Sequence, residues 1–253
     1  TGNKFEFRSL GSSESIAEAN VVINTIVAQS LKEFADELEN AESFRETLHN
    51  LIVSNLRKHN RIIFNGNGYA PEWVEEAARR GLPNYVSTVD ALPHMLDEKN
   101  IKLFTTFGVF TEAEIRSRYE IKLENYAKVL NIEAMTMLDM TKKKLLPAAM
   151  EYGKKICDTA IAKKQLGLDA SAETKLAADL DSNTAKMYEA MQALESKVNA
   201  AKEIGDVLEC AKAYRSQVFS AMGDLRTYAD QLEMLVSAED WPLPPYSDLL
   251  FNV

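Results

Sequence analysis

The sequence is poor in the residues that most often carry chemistry. Among 253 residues there are two cysteines, Cys157 and Cys210, three histidines and two tryptophans. Two isolated thiols give no disulfide framework and fit a reducing compartment, so a cytoplasmic protein is expected. His49, His59 and His94 have no partners at metal-binding spacing. No Ser/His/Asp or Cys/His nucleophile arrangement is visible. Basic residues are outnumbered, 29 Lys and Arg against 38 Asp and Glu, for a net charge of −9. Neither the first 120 residues nor the remainder is basic, which argues against a nucleic-acid surface. The same deficit leaves no cationic face for a membrane-surface helix. No apolar run approaches the roughly 20 residues that span a bilayer. Proline is absent between Pro147 and Pro242, a stretch left free to be helical.

What is present is globular in composition, 46% hydrophobic and 26% charged. The chain opens on Lys4-Phe5-Glu6-Phe7-Arg8. Side chains alternate across a strand, so Phe5 and Phe7 face a core and Lys4, Glu6 and Arg8 share the other face. A strand needs pairing partners for its backbone. The later candidates, Arg61–Phe64 and Lys102–Phe104, are short and unconvincing. The opening strand therefore reads as torn from a sheet that lies upstream of Thr1, and the chain as a piece of something larger.

After a Ser9–Ser13 turn, in which Ser12 or Ser13 can cap a helix, the pattern is helical from Glu14 to about Glu39. Its β-branched centre, Val21–Val27, could pass for a strand, but the length favours one long, largely buried helix. Ser43-x-x-Glu46 and Thr111-x-x-Glu114 read as capping boxes. Between them lie an Asn65–Gly68 turn and short helices near 71–80 and 88–98. Beyond Glu120 helical periodicity dominates. Leu180, Thr184, Met187, Met191, Leu194 and Val198 form one stripe. Ile204, Leu208, Ala211, Val218, Met222, Leu225, Ala229, Leu232 and Val236 form another. Pro147 should kink or restart a helix. Trp241–Tyr246 is too proline-rich for helix and should be an extended strap, with Leu249, Leu250 and Phe251 docking on an apolar surface. The expected class is mainly α: one N-terminal strand, then helices, ending in an antiparallel bundle.

Three groups are weighed as ordinary structure. Gly66-x-Gly68 lacks the strand–helix context of a phosphate loop. Arg57-Lys58-His59-Asn60-Arg61 suits the C-terminal end of a helix. Met135, Met137, Met140, Met187, Met191 and Met222 sit at core-filling positions. Lys4-x-Glu6-x-Arg8 is sharper. A carboxylate between two cations can hold a divalent metal while the cations hold phosphate or carboxylate oxygens.

Read together, Lys4–Arg8, Leu10-Gly11-Ser12-Ser13 and the Val21–Val27 helix resemble the last part of a glutamine synthetase catalytic domain. Gly108-Val109-Phe110-Thr111-Glu112 fits a helix start near the end of that domain. Asn131-Ile132-Glu133-Ala134, Met137-Leu138-Asp139-Met140 and Asp248-Leu249-Leu250-Phe251 resemble the C-terminal extension of the long type III enzymes. The resemblance implies residues 1–120 as the end of the catalytic domain and 121–253 as a helical extension with a proline-rich tail. It implies ATP-dependent joining of ammonia to glutamate through γ-glutamyl phosphate, with Mg²⁺ or Mn²⁺. Glu6 then matches a metal ligand and Arg8 a catalytic arginine that contacts glutamate and the transferring phosphate. Lys4 falls where many members carry an arginine near ATP, keeping the cation without the bidentate fork. Homo-oligomeric hexameric rings, paired as a dodecamer, are implied for the full enzyme. The 253 residues alone should be inactive. The rival expectation is a non-enzymatic helical interaction module.

Overall fold

The computed structural model describes residues 15–244 and 246–251. Among them it is mainly α-helical, without strands. The expected N-terminal strand lies outside the described residues. The chain falls into two compact units, divided between Tyr119 and Glu120.

In the first unit, α1 (Ile16–Glu39) is capped by Ser15, whose side chain accepts from the Ala17 amide. It packs on α2 (Phe44–His59) and on α5 (Glu98–Thr106). Only Thr25 of α1 is buried, its hydroxyl donating to the Val21 carbonyl at 2.7 Å. The helix expected to be largely buried instead leaves Ile16, Val22, Ile26, Val27 and Leu31 exposed. The β-branched run forms helix, and its apolar breadth exceeds what α2 and α5 cover. Ser43 stands at the N-cap of α2, as its spacing indicates, but makes no side-chain capping bond.

A 3₁₀ turn (Asn60–Ile62) leads to α3 (Pro71–Arg79), and α4 (Thr88–Ala91) runs into a 3₁₀ turn (Leu92–Leu96). Lys102–Phe104, weighed as a strand, lies within α5. Gly81 and Gly108, at φ 70° and 62°, close α3 and α5. Their left-handed backbone lets Leu82 and Val109 donate back to Ala77 and Phe104. The second capping box closes as read: the Thr111 amide donates to Glu114 Oε2 at 2.7 Å and the Glu114 amide to Thr111 Oγ1 at 3.3 Å. It opens α6 (Glu112–Met140).

The second unit is an antiparallel bundle. Its spine is α8 (Ser171–Lys202), packed between α7 (Leu146–Gln165) and α10 (Phe219–Glu233). Leu180, Met187, Met191, Leu194 and Val198 are buried along α8, the stripe its spacing defines. Val218, Leu225, Leu232 and Val236 face the same core, joined by Leu130, Ala134 and Leu138 of α6. Met187 and Met191 fill that core; Met135 is exposed. Pro147 marks a restart, as expected of it. A π turn at Thr141–Leu145 joins α6 to α7, and Pro147 falls in the first turn of α7, where a missing N–H costs least. A second π turn, Tyr214–Val218, joins α9 (Val207–Ala213) to α10.

The proline-rich stretch from Trp241 to Pro244 is non-helical, as expected, but the expected docking of Leu249 and Leu250 is not found. Trp241 is the anchor, buried in the bundle core. Pro242 and Pro244 lie outside helix, but Tyr246–Phe251 forms α11, and Leu249 and Leu250 are exposed. The prolines precede the helix, where they do not interrupt its hydrogen bonding.

Candidate functional site

Lys4, Glu6 and Arg8 lie outside the described residues. Among the described residues no three His, Cys, Asp or Glu side chains stand close enough to hold a metal ion. No described helix is long and apolar enough to cross a membrane.

Of the three histidines, His94 takes part in packing, standing between Tyr85 and Asp97. His49 and His59 are exposed on α2. His94 stacks on Tyr85 and meets Asp97 at 3.1 Å through Nδ1. The Asn65–Gly68 segment lies outside helix and leads into a turn at Asn67–Ala70, closed by the Ala70 amide donating to the Asn67 carbonyl at 3.2 Å. It lies by an aromatic and cationic cluster that the sequence reading missed. Phe64 and Trp73 stack with centroids 4.1 Å apart, and the Arg80 guanidinium lies against both rings. Arg80 also donates to Glu76 at 2.5 Å and to the Ile63 carbonyl at 2.8 Å. Arg79 and Arg80 hold the Glu76 carboxyl below its ordinary range. With its donors committed to Glu76 and to backbone, Arg80 fastens the 60–68 segment onto α3. The Arg79-Arg80 pair ending α3 was the available signal.

The bundle contains a surface pocket of about 280 Å³. One wall comes from α6, through Glu124, Ala127, Lys128 and Asn131. The end of α8 adds Lys202, and the following turn adds Ile204 and Gly205. Val207 and Cys210 of α9 and Tyr214 of the π turn close the other side. Tyr214 donates to Asn131 Oδ1 at 3.2 Å, and the Cys210 thiol reaches the Ala201 carbonyl at 3.5 Å. Burial raises the pKa of both Cys210 and Tyr214, so both stay protonated as donors at neutral pH.

Comparison with known proteins bears on the whole chain. A family model described as the glutamine synthetase C-terminal domain matches residues 47–164. A glutamine synthetase of Butyrivibrio fibrisolvens is 37% identical over 264 residues, covering 100% of this chain. A type-3 glutamine synthetase of Dictyostelium discoideum is 35% identical, covering 99%. A glutamine synthetase of Bacteroides fragilis is 31% identical, covering 100%. The chain belongs to the glutamine synthetase family. It spans 37%, 35% and 36% of the length of these three relatives, a part of a glutamine synthetase rather than the whole. The matched family model crosses the division between the two units, ending at residue 164 within α7. Glutamine synthetases as a family use ATP and divalent metals.

Proposed function

We propose that this chain is part of an ATP-dependent glutamate–ammonia ligase of the type III class, acting in the cytoplasm as a ringed homo-oligomer. The observation that carries the reading is similarity along essentially the full 253 residues to proteins named glutamine synthetase. In this reading residues 1–120 end the catalytic domain and 121–253 form an extension that supports ring assembly or shields the active-site region.

The chemistry is phosphoryl transfer followed by acyl substitution. ATP phosphorylates the side-chain carboxylate of glutamate, and ammonia then displaces phosphate from γ-glutamyl phosphate. Bound Mg²⁺ or Mn²⁺ would neutralise phosphate oxygens. Glu6 would hold metal on the nucleotide side. Arg8 would orient the glutamate and stabilise charge on the transferring phosphate, as positioned cations do in phosphoryl transfer. Lys4 would attract the nucleotide as a point charge. The remaining metal ligands and substrate arginines belong to the sequence outside these residues, so the chain alone should form no glutamine. The exposed apolar side chains of α1 and α2, among them Ile26, Leu31, Ile52 and Leu56, support the same reading. Apolar surface of that extent normally meets another part of a protein.

The test is Glu6→Ala in the natural-length protein. Loss of most ATP-dependent glutamine formation, with an unchanged melting temperature, is expected. Wild-type activity in that variant would defeat the assignment. Deleting residues 121–253 should alter assembly or activity; unchanged behaviour would defeat the role given to the extension.

A further inference from the structure

The pocket on the bundle lies among residues that the ligase reading does not use. Its wall is mostly apolar, through Ala127, Ile204, Val207 and the body of Tyr214. Its polar atoms are largely satisfied from within the bundle. Tyr214 is tied to Asn131, Cys210 to the Ala201 carbonyl, and Lys128 to Glu124 at 2.9 Å. The last carbonyls of α8 are also taken, Ala200 and Ala201 accepting from Glu203 and Ile204. Lys202 is different. Its ammonium has no hydrogen-bond or ion-pair partner among the described residues. Gly205 also lines the pocket, and a Cβ added there would meet no atom within 4 Å, so a larger side chain has room at this position. The π turn that carries Tyr214 is itself a departure from regular helix of a kind often found at functional sites.

We propose that this pocket binds a small amphipathic carboxylate, its apolar body against Ala127, Ile204 and Val207 and its carboxylate on Lys202. A volume of about 280 Å³ accommodates a six-membered ring with a short acidic arm; apolar cavities of about half that size take benzene. The neutral thiol and phenol on the wall leave no opposing negative charge on that side. The site is a binding site built from residues other than Lys4, Glu6 and Arg8, and its existence does not depend on the ligase reading.

The test is calorimetric titration of the natural-length protein with phenylacetate, and with phenylacetamide as its neutral counterpart. Phenylacetate should bind and phenylacetamide should bind more weakly. Lys202→Gln should weaken phenylacetate binding about tenfold, as expected for one charge-assisted hydrogen bond. Gly205→Phe, a substitution in an exposed turn, should plug the mouth and abolish binding. Melting curves of both variants confirm folding. No phenylacetate binding in the millimolar range, equal binding of phenylacetamide, or binding that either variant leaves unaltered would overturn the proposal. Persistence in Gly205→Phe would also separate this pocket from any carboxylate site elsewhere in the enzyme.

Discussion

Lys155 of α7 and Asp240 of the tail, eighty-five positions apart, meet at 2.5 Å. The contact closes the tail onto the bundle next to the buried indole of Trp241. Asp240 Oδ2 also accepts the Ser237 hydroxyl at 2.7 Å. Lys155 first, and Ser237 second, lower the Asp240 pKa from its ordinary 3.8; Asp240 raises that of Lys155 from 10.5. A depressed carboxylate contributes stability that is present above its ordinary pKa and lost as pH falls through its folded value. A raised ammonium contributes below its ordinary pKa and loses it as pH climbs through its folded value. The latch should therefore hold between about pH 4 and pH 10 and loosen at both extremes. Hydrogen exchange over Ser237–Leu243, corrected for intrinsic rate, should show protection falling in acid. Asp240→Asn should lower it throughout and flatten the acid limb. Equal protection in the two proteins would exclude the latch.

Leu194 is fully buried in the C-terminal half of α8. Leu194→Ala removes a fully buried side chain from the bundle core and should cost about 2–5 kcal/mol in denaturant unfolding. Leu249→Ala, on the exposed face of α11, should change stability by within about 0.5 kcal/mol. Similar costs for the two would contradict the placement of the core.

The turn between α5 and α6 depends on Gly108 at φ 62°. Gly108→Ala forces a side chain into left-handed backbone and should cost about 1–2 kcal/mol. Because a Cβ there would touch nothing within 4 Å, the cost is conformational, and Gly108→Asn should recover much of it. Gly68 has similar open space and no left-handed requirement, so Gly68→Ala should be nearly neutral. Thermal melts of the three variants decide the matter.

Lys4 offers a test of the nucleotide end of the proposed site. In the natural-length protein, Lys4→Arg should restore a bidentate donor and lower the KM for ATP, with the KM for glutamate unchanged. Lys4→Ala should raise the KM for ATP. If glutamate KM moves and ATP KM does not, the role given to Lys4 is wrong.

The bundle was legible because its information is periodic. Met187, Met191, Leu194 and Val198 recur every three or four residues, and that spacing alone defines a buried face. The Thr111–Glu114 box was legible for a similar reason, two side chains satisfying two amides at a fixed separation. The burial of α1 was misread, since hydrophobicity reports what a helix can cover and not whether its partner lies in the same stretch of chain. Trp241 was overlooked as the anchor because the prolines after it drew attention to the more distal leucines. The Phe64–Trp73–Arg80 cluster and the Tyr214–Asn131 contact join distant positions, which no local pattern encodes. Lys4, Glu6 and Arg8 were singled out by alternation and by resemblance; they lie outside the described residues, and their test is biochemical.

The two π turns bear on how this bundle tolerates changes in chain length. A π turn holds one residue more than the α turn it replaces, because its hydrogen bonds reach to the fifth residue instead of the fourth. Thr141–Leu145 and Tyr214–Val218 are thus places where each long helical run stores a surplus residue without losing the phase of its buried stripe. One-residue gaps between this sequence and its relatives should collect at these two turns. Single deletions there should be absorbed, while the same deletion at Met191 would turn the rest of α8 by about 100° and carry its apolar stripe away from the core.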